Sequence, residues 1–140
     1  MANHNLFDNT HCTFIAGQLA ENIACEFLLK NHLKLIERNF TTHDGNGKKN
    51  GEIDLVMRDK DYTVFVEVKM RTNLTRGHPL EMISKPKQST LIRTATHYLL
   101  QHHLYDSALC RFDAIGIMPD TINPQKLDIT WIRNAFEVQY

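Results

Sequence analysis

Residues 51–71 read GEIDLVMRDKDYTVFVEVKMR, and this stretch decides the fold. It predicts two β-strands, residues 52–57 and 63–69, because both segments are rich in β-branched and aromatic residues. The polar residues 59–61 lie between them and predict a short turn. Apolar side chains alternate along each predicted strand and form one apolar face. We therefore expect this hairpin to lie near the centre of a sheet, where that face is buried.

Charged residues occupy the other face of the predicted hairpin. By alternation, Glu52, Asp54 and Val56 share one side of the first strand, and Glu67 and Lys69 share one side of the second. In a tight antiparallel hairpin, Asp54 lies opposite or nearly opposite Glu67. Two carboxylates about 4 Å apart repel each other by roughly 4 kcal/mol at an effective dielectric constant near 20. A divalent cation, a shared proton or the ammonium group of Lys69 could offset that repulsion.

This set of side chains suits metal-dependent cleavage of a phosphodiester bond. Asp54 and Glu67 are the expected ligands of Mg²⁺ or Mn²⁺, and the metal would polarise the phosphate and acidify a bound water. Lys69 would orient that water, help to deprotonate it, or neutralise the developing charge. The alternative is a solvated hairpin with no site. The apolar opposite faces favour a buried hairpin and therefore a functional use of its charges.

The segments GEIDLV and VFVEVK, at residues 51–56 and 64–69, resemble the YraN-like family of bacterial predicted endonucleases. That family is similar to the PD-(D/E)xK, restriction-endonuclease-like superfamily and to the archaeal Holliday junction resolvases. The resemblance covers nearly the whole chain after residue 13. Further similar segments are residues 17–28, 87–99, 111–113 and 131–136. The resemblance implies cleavage of DNA, branched or damaged DNA included, that leaves a 5′-phosphate and a 3′-hydroxyl. It also implies the carbonyl oxygen of Val68 as a third metal ligand, and a homodimer.

Length and composition predict a globular protein. A chain of 140 residues with 42% apolar residues is expected to form one domain, residues 13–140, after a flexible segment of residues 1–12. No apolar run approaches the roughly 20 residues that span a bilayer, and the N-terminus lacks signal-peptide features. We therefore expect a cytoplasmic protein without membrane contact.

The net charge, the cysteines and the histidines limit the ways in which this protein could bind DNA or a metal. A formal net charge of zero argues against DNA binding through overall positive charge, so any such binding should be weak and salt-sensitive. The three cysteines are far apart in the sequence and predict neither disulfides nor a zinc site. The eight histidines do not show the spacing of a helical ligand pair, so carboxylates are the better candidate ligands.

Two helices contribute candidate site residues. The apolar spacing predicts a helix over residues 14–31, with Glu21 at the edge of its apolar stripe. The family resemblance places such a glutamate near the active site, either as a ligand or through water, and we prefer this to an ordinary boundary glutamate. A second helix is predicted over residues 85–102, with Ser84 as its N-cap. Lys87 and Gln88 resemble a superfamily element near the site, although Gln88 could instead satisfy a buried backbone group.

The loops contribute candidate phosphate contacts. Residues 41–50 are predicted to be a loop in which Lys48 and Lys49 reach a phosphate, and residues 71–79 one in which Arg71 and Arg76 do so. For each of these cations a solvated surface position is the alternative.

The last part of the chain predicts two further strands, residues 109–118 and 127–132. Arg111 and Asp113 share a face of the first and are expected to pair structurally, with each other or with a neighbour. The element order is therefore α-β-β-β-α-β-β, a restriction-endonuclease-like mixed β-sheet flanked by helices.

The sequence supports two classes of function. The preferred one is a metal-dependent endonuclease acting on DNA, with Asp54, Glu67 and Lys69 at its centre. The alternative is a non-catalytic nucleic-acid-binding or scaffold protein that retains the nuclease fold, which the zero net charge favours. Action on RNA or on free nucleotides is also compatible with the sequence.

Overall fold

The computed structural model describes residues 10–71, 83–120, 122–123 and 125–138. It confirms the predicted order of elements and the mixed sheet flanked by helices. The elements are α1 (Thr10–Lys30), β1 (Lys34–His43), β2 (Lys49–Asp59), β3 (Tyr62–Met70), α2 (Lys85–Gln101), β4 (Leu109–Pro119) and β5 (Leu127–Phe136).

The five strands lie in the sheet in their chain order, β1-β2-β3-β4-β5. Neighbouring strands are antiparallel except for β3 and β4, which are parallel. Parallel neighbours need a crossover connection, and α2 provides it. The hairpin β2–β3 therefore lies inside the sheet, with β3 as its central strand.

The two helices lie on opposite sides of the sheet, and each covers its own apolar cluster. Strand residues under α1 include Leu55, Met57, Val64 and Val66, which meet the helix residues Ala20, Ala24 and Leu28. Strand residues under α2 include Phe40, Ile53, Val56 and Phe65, which meet the helix residues Leu91, Ala95 and Tyr98. The sheet is thus covered on both sides over β2 and β3, where Glu67 is buried and Asp54 is only partly exposed.

Several boundaries differ from those predicted. Helix α1 begins at Thr10, before the predicted residue 14, and so includes part of the segment expected to be a flexible lead-in. Half of residues 41–50 belong to β1 and β2 rather than to a loop. The turn itself is short because the Asp44 side chain accepts hydrogen bonds from the backbone N–H groups of Asn46 and Lys48. Ser84 is the N-cap of α2, as predicted.

Arg111 and Asp113 form the predicted structural pair. Asp113 is fully buried and accepts hydrogen bonds from Arg111 Nε at 3.0 Å, Trp131 Nε1 at 3.0 Å and the Asn134 backbone N–H at 3.0 Å. Arg111 also contacts Asp59 at 2.7 Å. This network ties β4 to β2 and β5 and leaves no donor or acceptor of Asp113 free for chemistry.

Candidate functional site

Asp54 lies where the ladder between β2 and β3 opens. The two strands pair from Asp59↔Tyr62 to Leu55↔Val66, and Asp54 follows directly after the last of these pairs. Its Oδ2 accepts a hydrogen bond of 2.8 Å from the backbone N–H of Val68. The Asp54 carboxylate therefore accepts a hydrogen bond that a backbone carbonyl would accept in a regular ladder. It is held in the gap between the strands, beside the position of Glu67 in β3.

Glu67 provides the second carboxylate of the site. It is only 5% exposed, in the middle of the central strand. Its Oε1 lies 3.5 Å from Lys69 Nζ and 3.8 Å from Lys87 Nζ. Its Oε2 is buried and has no hydrogen-bond partner among the described residues. The structure thus brings together the predicted trio of Asp54, Glu67 and Lys69, and adds Lys87 from α2.

Two further carboxylates approach Asp54. Glu21 of α1 and Glu52 of β2 each have a carboxylate oxygen within 4.8 Å of one on Asp54 and of each other. A cation accompanies each of the two glutamates: Arg38 Nη2 lies 3.6 Å from Glu21, and Lys49 Nζ lies 2.7 Å from Glu52. Asp54 has no such cation partner among the described ion pairs, although it is the residue that the other carboxylates surround.

Burial and repulsion by neighbouring carboxylates raise the pKa values of Asp54, Glu67 and Glu21. Burial, and then the neighbouring Glu67 carboxylate, raise the pKa of Asp54 from 3.8 to about 8. Burial also raises the pKa of Glu67, against the opposing effects of Lys87 and Lys69. The pKa of Glu21 is raised by burial too, while Asn39 and Arg38 lower it. Without a counter-charge, the site therefore favours a proton on Asp54 at neutral pH.

The other predicted site residues take different positions. The side-chain nitrogen of Gln88 donates a hydrogen bond of 3.1 Å to the Ile83 carbonyl, which is the structural one of its two predicted roles. Lys87, which the superfamily resemblance places near the site, is paired with Glu67. The Val68 N–H holds Asp54, while ligation by the Val68 carbonyl stays a prediction.

The predicted phosphate contacts are only partly near the carboxylates. Lys49 is paired with Glu52, whereas Lys48 is exposed in the β1–β2 turn. Arg71 lies just after β3, and its Nε is buried without a hydrogen-bond partner among the described residues. Arg76 lies outside the described residues.

Sequence reasoning missed Glu52, Arg38 and Asn39 as members of the site. Glu52 had a usable signal, since alternation placed it on the same side as Asp54. Arg38 and Asn39 had none, because their approach to Glu21 depends on how α1 packs across the sheet.

Comparison with known proteins identifies the family. Residues 20–117 match the profile of the uncharacterised protein family UPF0102. The chain belongs to the UPF0102 family. This confirms the family part of the resemblance to YraN-like proteins, while its nuclease superfamily stays a prediction.

Relatives from several bacteria match over most of the chain. A UPF0102 protein of Coxiella burnetii (strain RSA 331 / Henzerling II) is 44% identical over 124 residues, which are 89% of this chain and 93% of the relative. One from Nitrosospira multiformis is 42% identical over 126 residues, 90% of this chain and 96% of the relative. One from Legionella pneumophila subsp. pneumophila is 36% identical over 121 residues, 86% of this chain and 93% of the relative.

Within the described residues, neither α1 nor α2 combines the length and the hydropathy that crossing a membrane requires.

Proposed function

We propose that this UPF0102 protein is a divalent-metal-dependent endonuclease that hydrolyses phosphodiester bonds in DNA, and that it belongs to the PD-(D/E)xK superfamily. One observation carries the proposal: Asp54, held in an opened strand ladder, has carboxylate oxygens of Glu21 and Glu52 within 4.8 Å, and the Glu67 charge raises its pKa, with Lys69 beside Glu67. Carboxylates whose pKa values are raised by burial and by neighbouring charges are typical of functional sites.

The donor set fits a hard divalent cation. Mg²⁺ and Mn²⁺ prefer carboxylate and carbonyl oxygens. Buried Oε2 atoms of Glu67 and Glu21 have no hydrogen-bond partner among the described residues, which a cation would remedy. Asp54 and Glu67 would hold the metal, with Glu21 and the Val68 carbonyl as further ligands. When bound, the metal would polarise the scissile phosphate and acidify a water.

The protein's own residues would then divide the remaining work. Lys69, whose Nζ lies 3.5 Å from Glu67, would hold the attacking water and offset the charge that develops on the phosphate. Lys87, whose Nζ lies 3.8 Å from the same Glu67 oxygen, would keep this carboxylate oriented. The Val68 N–H would fix the rotamer of Asp54. Attack on phosphorus would leave a 5′-phosphate and a 3′-hydroxyl.

DNA is the proposed substrate because cations surround the carboxylates even though the whole chain has zero net charge. Lys49 and Lys87, which are paired with carboxylates of the site, would contact phosphates beside the scissile bond, and Lys48, Arg71 and Arg76 could extend that contact. With few phosphates neutralised, binding should be weak and should decrease as salt increases. Branched or damaged DNA is the proposed preference, and a homodimer would supply one site for each of two strands.

The test is a cleavage assay with Mg²⁺ or Mn²⁺ on supercoiled, nicked, branched and single-stranded DNA. We expect wild-type protein to cleave at least one of these substrates, and Asp54→Asn, Glu67→Gln and Lys69→Met to lose the activity. Asp61→Asn, an exposed position in the β2–β3 turn, is the matched control and should keep it. Binding of DNA without cleavage, unchanged by Asp54→Asn, would instead support the alternative of a non-catalytic binding protein.

A further inference from the structure

Asn39 has an unusual backbone conformation for its place in the fold. It lies within β1, yet its φ is +55°, in the left-handed region. This region is sparsely populated by residues other than glycine, although asparagine enters it more often than most. Four other described residues besides glycine have positive φ, and three of them, His32, Lys60 and His103, lie in turns or at the end of a helix.

The fourth, Asn134, shows what such a residue normally does inside a strand. It has a φ of +52° in β5, where the pairing with β4 shifts register between Phe112 and Ala114. There it accommodates a β-bulge. Asn39 has no such role, because Arg38↔Leu55 and Phe40↔Ile53 keep the same register on both sides of it.

The alternation of side chains breaks at Asn39 in β1. Residues two apart in a strand normally face the same side of the sheet. Phe40 packs in the cluster under α2. Arg38, which follows Glu37 and lies two positions before Phe40, should face the same side, but its Nη2 lies 3.6 Å from Glu21 of α1. The Asn39 amide is also near enough to the Glu21 carboxylate to lower its pKa. Consecutive residues, Arg38 and Asn39, thus reach the same carboxylate.

The alternation breaks at the opposite residue of β2 as well. Ile53 packs in the cluster under α2, and Leu55 packs in the cluster under α1. The single apolar face predicted for the strand of residues 52–57 is therefore wrong at Ile53. The break falls on Asp54, which lies opposite Asn39 in the register, and the Asp54 carboxylate is directed into the opened ladder, where it accepts from Val68 N–H.

We propose that Asn39 is a positioning residue of the carboxylate site. Its left-handed conformation turns Arg38 and its own amide together toward Glu21, and sets the break in β2 that directs Asp54 to the Val68 N–H. Strained backbone that packing does not require is typical of functional sites. The inference rests on the proposed function for its catalytic meaning, but its structural part can be tested alone.

Two substitutions separate the backbone from the side chain. Asn39→Gly permits positive φ and removes only the amide, whereas Asn39→Val removes the amide and strongly disfavours positive φ. Asn134→Gly is the matched control, since it changes an asparagine of the same conformation in another part of the sheet. All variants are compared with wild type by amide hydrogen exchange and by Mn²⁺ titration.

The first measurement is the exchange rate of the Val68 amide relative to other amides of β3, so that a general loss of stability cancels. We expect wild-type rates in Asn39→Gly and Asn134→Gly. In Asn39→Val we expect exchange on the order of tenfold faster, the effect of losing one hydrogen bond to a charged or polar partner. An unchanged Val68 rate in Asn39→Val would overturn the proposal.

The second measurement is the affinity for Mn²⁺ by calorimetry. We expect it to fall severalfold in Asn39→Gly, which leaves Glu21 without the amide, and further in Asn39→Val, while Asn134→Gly matches wild type. Wild-type affinity in Asn39→Gly would refute the role of the side chain. If the wild type itself bound no Mn²⁺, the proposed function would fail, and the Val68 exchange rate would still decide the role of Asn39.

Discussion

Replacing Asp54 with asparagine should make the protein more stable at alkaline pH. The reason is the pKa of Asp54, which burial and the Glu67 carboxylate raise from 3.8 to about 8. Between these two pH values, the folded protein keeps a proton on Asp54 that the unfolded chain has lost. Linkage then requires the free energy of unfolding to fall as pH rises through this window. Asparagine accepts the same hydrogen bond from Val68 and does not ionise. The free energy of unfolding of Asp54→Asn should therefore not fall in this way as pH rises.

The magnitude follows from the pKa values. Each pKa unit corresponds to about 1.36 kcal/mol, so between pH 5 and pH 8 the wild type should lose up to about 4 kcal/mol relative to Asp54→Asn. This is a ceiling, because the opened ladder admits water once Asp54 ionises. We expect a relative loss of at least about 2 kcal/mol, more than the roughly 0–1 kcal/mol that an exposed ion pair contributes.

The assay is urea denaturation at pH 5, 6, 7 and 8 in the presence of a chelator. Asp61→Asn, which also removes one negative charge, serves as the control and should show no such trend relative to wild type. Adding Mn²⁺ at pH 8 should restore stability to the wild type and not to Asp54→Asn, since only the ionised carboxylate binds the cation. A wild-type-to-Asp54→Asn difference that stays constant over this pH range would refute the reasoning.

Three further outcomes are expected. Calorimetric affinity of the wild type for Mn²⁺ should rise between pH 6 and pH 8, by up to about tenfold per pH unit, because the proton on Asp54 competes with the cation. Gly51→Ala should lower the free energy of unfolding by about 1–3 kcal/mol in urea denaturation, since the new Cβ would lie 2.1 Å from Thr94 Oγ1, whereas Gly45→Ala, with no atom within 4 Å, should avoid that clash. Asp113→Ala should cost about 3–5 kcal/mol by breaking its buried ion pair, and Mn²⁺ affinity measured on the folded protein should not change.

Local signals in the sequence were sufficient for the order of elements. The two halves of the hairpin β2–β3 each show period-two alternation and are joined by a polar turn, so their pairing and the closeness of Asp54 to Glu67 followed from the turn alone. Helix α2 showed its start through Ser84, whose side chain accepts from the Lys87 backbone N–H. These features depend on residues a few positions apart, which is the range over which sequence patterns are informative.

The rest of the site depends on contacts between distant elements. Arg38 meets Glu21 only because α1 packs across β1, and no pattern within either element indicates that contact. Alternation failed at Ile53, since it assumes that every strand residue has an extended backbone. A single left-handed residue in the neighbouring strand, Asn39, violates that assumption and redirects the side chains of both strands.

The arrangement of cations around the carboxylates explains how this chain keeps such a cluster folded. Glu21, Glu52 and Glu67 each have a cation within 4.0 Å, from Arg38, from Lys49, and from Lys69 and Lys87. Asp54 has none among the described ion pairs and depends on a proton and the Val68 N–H. The centre of the cluster is therefore the one position where the fold leaves the negative charge uncompensated. A divalent cation bound there would replace the proton on Asp54.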